Sequence, residues 1–236
     1  GKLLDSTKIT RRLIVSKVAE IFDPVGLWEP YKLQLKLEQS DLKDVGWDVE
    51  LSEDLQDHWS QRFKELLDIP LMTTVRSIVP EEAVNHMRMR LLCISDAAVC
   101  AGGAAVYGGF LLPDGNYSCK LLTSKSRLMD ATVPRNELSA VVEMVKLAYC
   151  TKKALGDLVT EVLYFTDSTI TLSWCHNTSK KLKTFVHYRV VAIRNMIEWT
   201  IGKFDELPLF HMDGTLNIAD LLTKPNKIKP TDLGIG

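Results

Sequence analysis

Hydrophobic and polar positions divide the chain into a helical opening and a strand-rich remainder. Thr10 to Phe22 places Leu13, Val18, Ile21 and Phe22 at helical spacing and stops at Asp23-Pro24, because a proline disfavours helix in the residue before it. Tyr31 to Ser40 predicts a second helix with Leu33, Leu35 and Leu37 available for packing. Leu51 to Leu67 predicts a third, with Ser52 as N-cap, Leu55, Trp59, Phe63 and Leu66/Leu67 on one face, and Pro70 as its stop. The acids Glu50, Glu53, Asp54 and Asp57 form a solvated face. The boundaries expected are a helical accessory segment over 1–84 and a second domain over 85–236.

From Met87 the period changes. Leu91 to Phe110, LLCISDAAVCAGGAAVYGGF, is almost wholly apolar or small. A membrane span is disfavoured by four glycines, a central Asp and Ala in place of Leu. The better reading is a buried hairpin: a strand Met87–Ser95, a turn Ala97–Ala101 and a strand Gly102–Phe110. Pro113-Asp114-Gly115-Asn116 is a turn signal before a third strand, Tyr117–Thr123. A long helix follows, Arg135 to about Leu155, with Leu138, Val141, Val142, Val145 and Ala148 inward and Gly156 as its stop. Thr160–Phe165 is a fourth strand, then come helices Thr169–Trp174 and Phe185–Trp199, a strand Leu207–Phe210 and a short helix Leu216–Leu222. The order implies an α/β fold, a mixed five-stranded sheet flanked by helices on both faces.

Composition narrows the picture only slightly. Hydrophobic content of 46% is ample for a core, and a net charge of −1 gives no global basic field for nucleic acid, so such binding needs a local patch. Five cysteines without a CxxC read as reduced, buried thiols of an intracellular, cytoplasmic protein.

Asp96 is the one carboxylate inside the apolar run, and a charge there needs partners. Asp167 ends the fourth strand, Glu137 opens the long helix and Asp220 opens the last one. Singly, each has a structural explanation: a turn Asp, a helix cap, a dipole-facing acid, and the third helical position after Asn217. Jointly, four carboxylates from four elements repel one another unless cations compensate them. Hard oxygen ligands with open positions suit Mg²⁺ or Mn²⁺, and two such ions clamp an in-line displacement at phosphorus.

These residues carry a resemblance. The order Asp96 (ISDAA), Glu137 (VPRNELSA), Asp167 (YFTDST) and Asp220 (LNIADLL) resembles the acidic set of ribonuclease H. LLTSKSRL, YFTDSTITLSW, KTFVHYRVVAIR and NIADLLTKP, with the opening RRLIVSKVAEIFDPVGLWEP, are similar to the nuclease region and preceding connection of Bel/Pao-type LTR retrotransposon polyproteins. The resemblance implies an endoribonuclease that cuts the RNA strand of RNA–DNA hybrids, within retroelement particles and alongside the polymerase part of the same polyprotein, with no membrane. It also implies that Asp96 bridges two Mg²⁺ or Mn²⁺ ions, that Glu137 and Asp167 stand on the leaving-group side, and that Asp220 holds the ion activating water. His211 would assist product release. Ala98 departs from the family's usual Ser, and the turn AVCAGG replaces a longer glycine loop.

Candidate hybrid contacts are Lys125, Arg127 and Arg135 near the acids, and Lys180, Lys181, Lys183, Arg189 and Arg194 on the later link and helix. No Tyr-x-Asp-Asp motif is present, so DNA synthesis does not reside in this stretch. Two other readings are a catalytically silent module of the same fold, binding nucleic acid or protein, and an integrase-like nuclease acting on DNA.

Overall fold

The computed structural model describes residues 8–67, 77–179 and 181–224. Three helices open it: α1 (Arg11–Ala19), α2 (Glu29–Ser40) and α3 (Glu53–Leu67). Thr10 caps α1 by accepting from the backbone N–H of Leu13 at 3.3 Å. Ile9, Ile14, Val18, Tyr31, Leu35, Leu42, Leu51, Trp59 and Phe63 make a core of their own. Leu55 and Leu67, expected on the buried face of α3, are exposed, while Glu53, Asp54 and Asp57 lie in solvent as expected. Pro70, the expected stop of α3, lies outside the described residues.

The sheet contains β1 (Met89–Ala97), β2 (Ala101–Leu111), β3 (Tyr117–Leu128), β4 (Val159–Thr166) and β5 (Leu209–His211), in the order β3-β2-β1-β4-β5. The β1–β2 and β2–β3 pairs are antiparallel, and the β1–β4 and β4–β5 pairs parallel. The apolar run is thus the centre of a sheet, buried on both faces, and its length is that of a hairpin. Strand β3 extends five residues beyond its expected end. Polar Ser124 and Ser126 weaken the apolar signal there, but full pairing with β2 continues the ladder to Leu128.

Helices α4 (Val133–Leu155), α5 (Thr169–His176) and α6 (Thr184–Ile201) share one core with alternate residues of the sheet, including Leu91, Cys93, Val106, Leu138, Val145, Tyr164 and Ile193. Gly156 ends α4 at φ +57°, a conformation that suits glycine. On the opposite face Ile94 and Ala105 meet Ala219 and Leu222 of a short 3₁₀ turn, Ile218–Leu222. The expected last α-helix is therefore a 3₁₀ turn of five residues. Gly103 is required there, since a Cβ on it would stand 2.4 Å from the Leu222 side chain. That face is otherwise met by α2, so the covering helix comes from the opening segment.

Candidate active site

Strands β1 and β4 run in parallel with Ser95 opposite Thr166, which puts Asp96 and Asp167 at neighbouring positions at their carboxyl ends. Asp96 is 8% exposed on the second-to-last residue of β1, facing Gly103 of β2. The turn after it is pinned to α4: Asn136 donates to the carbonyls of Ala98 at 3.1 Å and Val99 at 3.0 Å, and accepts from the Ala131 N–H at 3.2 Å. Helix α4 begins at Val133, two residues before its expected start, so Glu137 stands beyond the first turn and points at the strand ends rather than at the helix dipole. It accepts a hydrogen bond from the Ser168 hydroxyl, which also caps α5 by accepting from the Thr171 N–H at 3.1 Å. Ser168, not Asp167, is the cap, which leaves the Asp167 carboxylate to the cluster.

Asp220 arrives on the 3₁₀ turn, which Asn217 caps by accepting from the Ala219 N–H at 3.1 Å while its amide donates to the Ser95 carbonyl at 3.2 Å. The same turn brings Thr223, whose hydroxyl donates to Asp96, and Lys224, which pairs with Asp220.

The electrostatics are those of crowded like charges. Burial pushes the Asp96 carboxyl above its ordinary pKa; Thr223 opposes this, Asp167 and Asp220 add to it, and Lys224 opposes it. Glu137 is raised chiefly by burial, against its bond from Ser168 and with help from Asp167 and Asp96. Lys224 is raised by its bond to Asp220 and by the field of Asp220, Asp96 and Asp167. The donor set is all hard oxygen, the chemistry that Mg²⁺ and Mn²⁺ take. As placed, each of Asp96, Glu137 and Asp220 already has a hydroxyl or ammonium partner, and among the described residues no three acids converge into a set that could hold one ion.

His211 ends β5 as the Cα partner of Thr166, beside Asp167; it is exposed, and belongs to the strand rather than to the loop before Asp220. Lys125 and Arg127 sit on edge strand β3, opposite Ala104 and Gly102, and Arg127 pairs with Glu143 at 3.2 Å. Arg135 and Arg189 flank the Phe185 ring, with Cζ at 4.9 and 3.5 Å from its centroid, and Arg189 donates to Ser139 Oγ at 3.1 Å. Lys181 and Lys183 are exposed just before α6, and Lys180 lies outside the described residues. Arg194, half-buried, donates to the Cys175 carbonyl at 2.7 and 3.1 Å.

The cysteine expectation is half corrected. Cys93 and Cys175 are buried, and burial pushes the Cys175 thiol up to about 12, whereas Cys100, Cys119 and Cys150 are exposed. Sequence reasoning missed Asn136, Thr223 and Lys224; the signal available was their adjacency to Glu137 and to the motif NIADLL.

A mixed sheet in the order 3-2-1-4-5, with an acid at the end of each central parallel strand, defines a ribonuclease H-like domain. Residues 10–168 match the Pao retrotransposon-like RNaseH-like domain, and the chain belongs to that family. The matched stretch contains Asp96, Glu137 and Asp167, and ends before Asp220. No curated protein matches the sequence. Among solved structures it is similar to RNase H1 from the halophilic archaeon Halobacterium salinarum NRC-1, at 16% identity and TM-score 0.39, over 60% of this chain and 99% of that one. It is also similar to a foamy viral protease-reverse transcriptase in complex with double-stranded DNA, at 14% identity and TM-score 0.45, over 86% of this chain and 35% of that one. Among the described residues no helix is long and apolar enough to cross a membrane.

Proposed function

We propose that this chain hydrolyses the RNA strand of an RNA–DNA hybrid during reverse transcription of a retroelement, joined to the polymerase part of the same polyprotein. The observation that carries the reading is the placement of Asp96 and Asp167 at neighbouring carboxyl ends of β1 and β4, with burial and the charges of Asp167 and Asp220 raising Asp96, and burial and the charges of Asp167 and Asp96 raising Glu137. Asp96, Glu137, Asp167 and Asp220 are the residues that would hold two Mg²⁺ or Mn²⁺ ions. The ions would supply Lewis acidity at the scissile phosphate and a lowered pKa for the attacking water. Thr223 and Ser168 orient Asp96 and Glu137 through their hydroxyls. His211, exposed beside Asp167, would assist product release.

Hybrid grip falls to the Arg135–Phe185–Arg189 stack, to Lys181 and Lys183 just before α6 with Lys180 adjoining them in sequence, and to Lys125 and Arg127 on β3. Among the described residues neither Arg135 nor Arg189 has a carboxylate partner, and burial together with the charge of Arg135 lowers the Arg189 pKa. Two guanidiniums on one aromatic ring make a local positive patch that favours a phosphate beside them. The division of the chain near residue 84, into an accessory segment and the nuclease domain, belongs to the same proposal.

A silent binding module is favoured by one observation, the prior engagement of three acids by Thr223, Ser168 and Lys224. Cleavage of a labelled hybrid in Mg²⁺, Mn²⁺ or EDTA decides between the two, with Asp167→Asn, single-stranded RNA and duplex DNA as controls. Metal-dependent cutting of hybrid RNA, reduced at least about 10²-fold by the substitution, is expected. Hybrid binding without cutting would transfer the assignment to the silent module, and cutting of duplex DNA to an integrase-like nuclease.

A further inference from the structure

The 3₁₀ turn that presents Asp220 is five residues long, and so brief an element is held by its neighbours rather than by its own hydrogen bonds. Its neighbours lead back to the start of the chain. Ser126 of β3 donates its hydroxyl to the Leu222 carbonyl at 2.9 Å, and its backbone N–H to the Glu29 carboxylate, also at 2.9 Å. Glu29, first residue of α2, is 7% exposed, and its charge is balanced by Lys32 at 2.6 Å and Lys36 at 3.6 Å.

Two residues back along β3, the Ser124 N–H donates to the Val25 carbonyl at 2.8 Å and its hydroxyl to the Gly26 carbonyl at 2.5 Å. The edge of β3 is thereby closed by the opening segment, which supplies partners for N–H groups that an edge strand leaves unpaired. Helix α2 also packs on the 3₁₀ turn directly. A continuous series of bonds therefore runs from Glu29 through Ser126 to Leu222, and from the adjoining Thr223 to Asp96.

We propose that the opening segment is a positioning element of the acid cluster, in which Glu29, acting through Ser126, fixes the 3₁₀ turn that presents Asp220 and Thr223 to Asp96. For its catalytic meaning this rests on the nuclease reading. For its structural content it does not. Removing the Glu29 carboxylate leaves a buried N–H without its acceptor and Lys36 without its anion, while Lys32 keeps Asp23 at 3.8 Å; removing the Ser126 hydroxyl frees the turn and leaves Glu29 in place.

The experiment uses the full chain with Glu29→Ala, Ser126→Ala and Ser126→Thr, and with Asp48→Asn as a surface control. Amide hydrogen exchange reads the Thr223 and Lys224 N–H groups, both bonded to the Asp220 carbonyl, at 3.3 and 3.1 Å. Exchange there about 10-fold faster in Ser126→Ala and Glu29→Ala, unchanged in the middle of α4 and restored in Ser126→Thr, is expected. Manganese affinity by electron paramagnetic resonance and kcat for hybrid cleavage should fall about 10-fold in the same variants at unchanged KM, the scale of partners that orient metal ligands.

Unchanged exchange at the turn overturns the proposal, as does a fall in Tm alone with manganese affinity and kcat intact. If Glu29→Ala does not fold, Ser126→Ala carries the test. A parent chain that cuts no hybrid would count against the nuclease reading, and the exchange result would still decide whether the turn depends on Glu29.

Discussion

Asp96 and Asp167 follow two residues, Ser95 and Thr166, that face each other across the parallel pair β1–β4, and the Asp167 carboxylate raises the pKa of Asp96. The relationship costs the fold stability when both are ionised, and the sign of the pH dependence follows from it. Asp96 and Glu137 have folded pKa values above their ordinary ones. Their favourable contribution is complete below the unfolded values, about 4, and is lost as pH rises through the raised folded values.

In EDTA, Asp96→Asn should therefore have a higher Tm than the parent at neutral pH, and the difference should vanish as pH approaches about 4. Saturating Mg²⁺ should reverse the order, because only the parent gains the ion. Thermal melts of both chains against pH, with and without Mg²⁺, check this. Subtracting one chain from the other removes the opposite contribution of Glu29 and Glu38, whose pKa values are lowered.

Thr223 and Lys224 act on the cluster in opposite directions. Thr223→Val removes the hydroxyl that orients Asp96 and should cost about 10- to 100-fold in activity or metal affinity. Lys224→Met removes the ammonium that competes for Asp220, and should lower the Mg²⁺ concentration at half-maximal activity several-fold. A Mg²⁺ titration of hybrid cleavage for the three proteins separates the two effects.

The Arg135–Phe185–Arg189 stack predicts a salt dependence. Arg189→Ala should weaken hybrid binding by a similar factor for all sequences, and reduce the slope of log affinity against log salt by about 1. Fluorescence anisotropy with a catalytically disabled chain at several salt concentrations measures it. A change confined to some base sequences would contradict a phosphate contact.

Gly26 predicts the cost of undocking the opening segment. Its φ is +83°, and an added Cβ would stand 2.2 Å from the Ser124 carbonyl oxygen, a backbone atom that has no rotamer to yield. Gly26→Ala should destabilise the chain by about 2 kcal/mol. Urea unfolding read separately by near-ultraviolet and far-ultraviolet signals measures the loss.

The sequence by itself determined the kind and order of the elements. The period of its apolar residues distinguishes α1 and α3 from β1 and β2, and the small, apolar run around Asp96 marks β1 and β2 as a buried strand pair. It also placed Asp96 and Asp167 at strand ends, because a carboxylate that interrupts or closes an apolar run is visible without a structure. Tertiary structure alone decided the rest. That Asp96 and Asp167 are neighbours depends on the β1–β4 register, set by residues 71 positions apart in sequence, Ser95 and Thr166. That Ser168, Thr223 and Lys224 partner the acids, that α2 joins the 3₁₀ turn in covering the second face, and that Arg194 donates to a carbonyl near the end of α5 depend on contacts across the fold. Periodicity records which face of an element is apolar; which other element meets that face is recorded only in their joint packing.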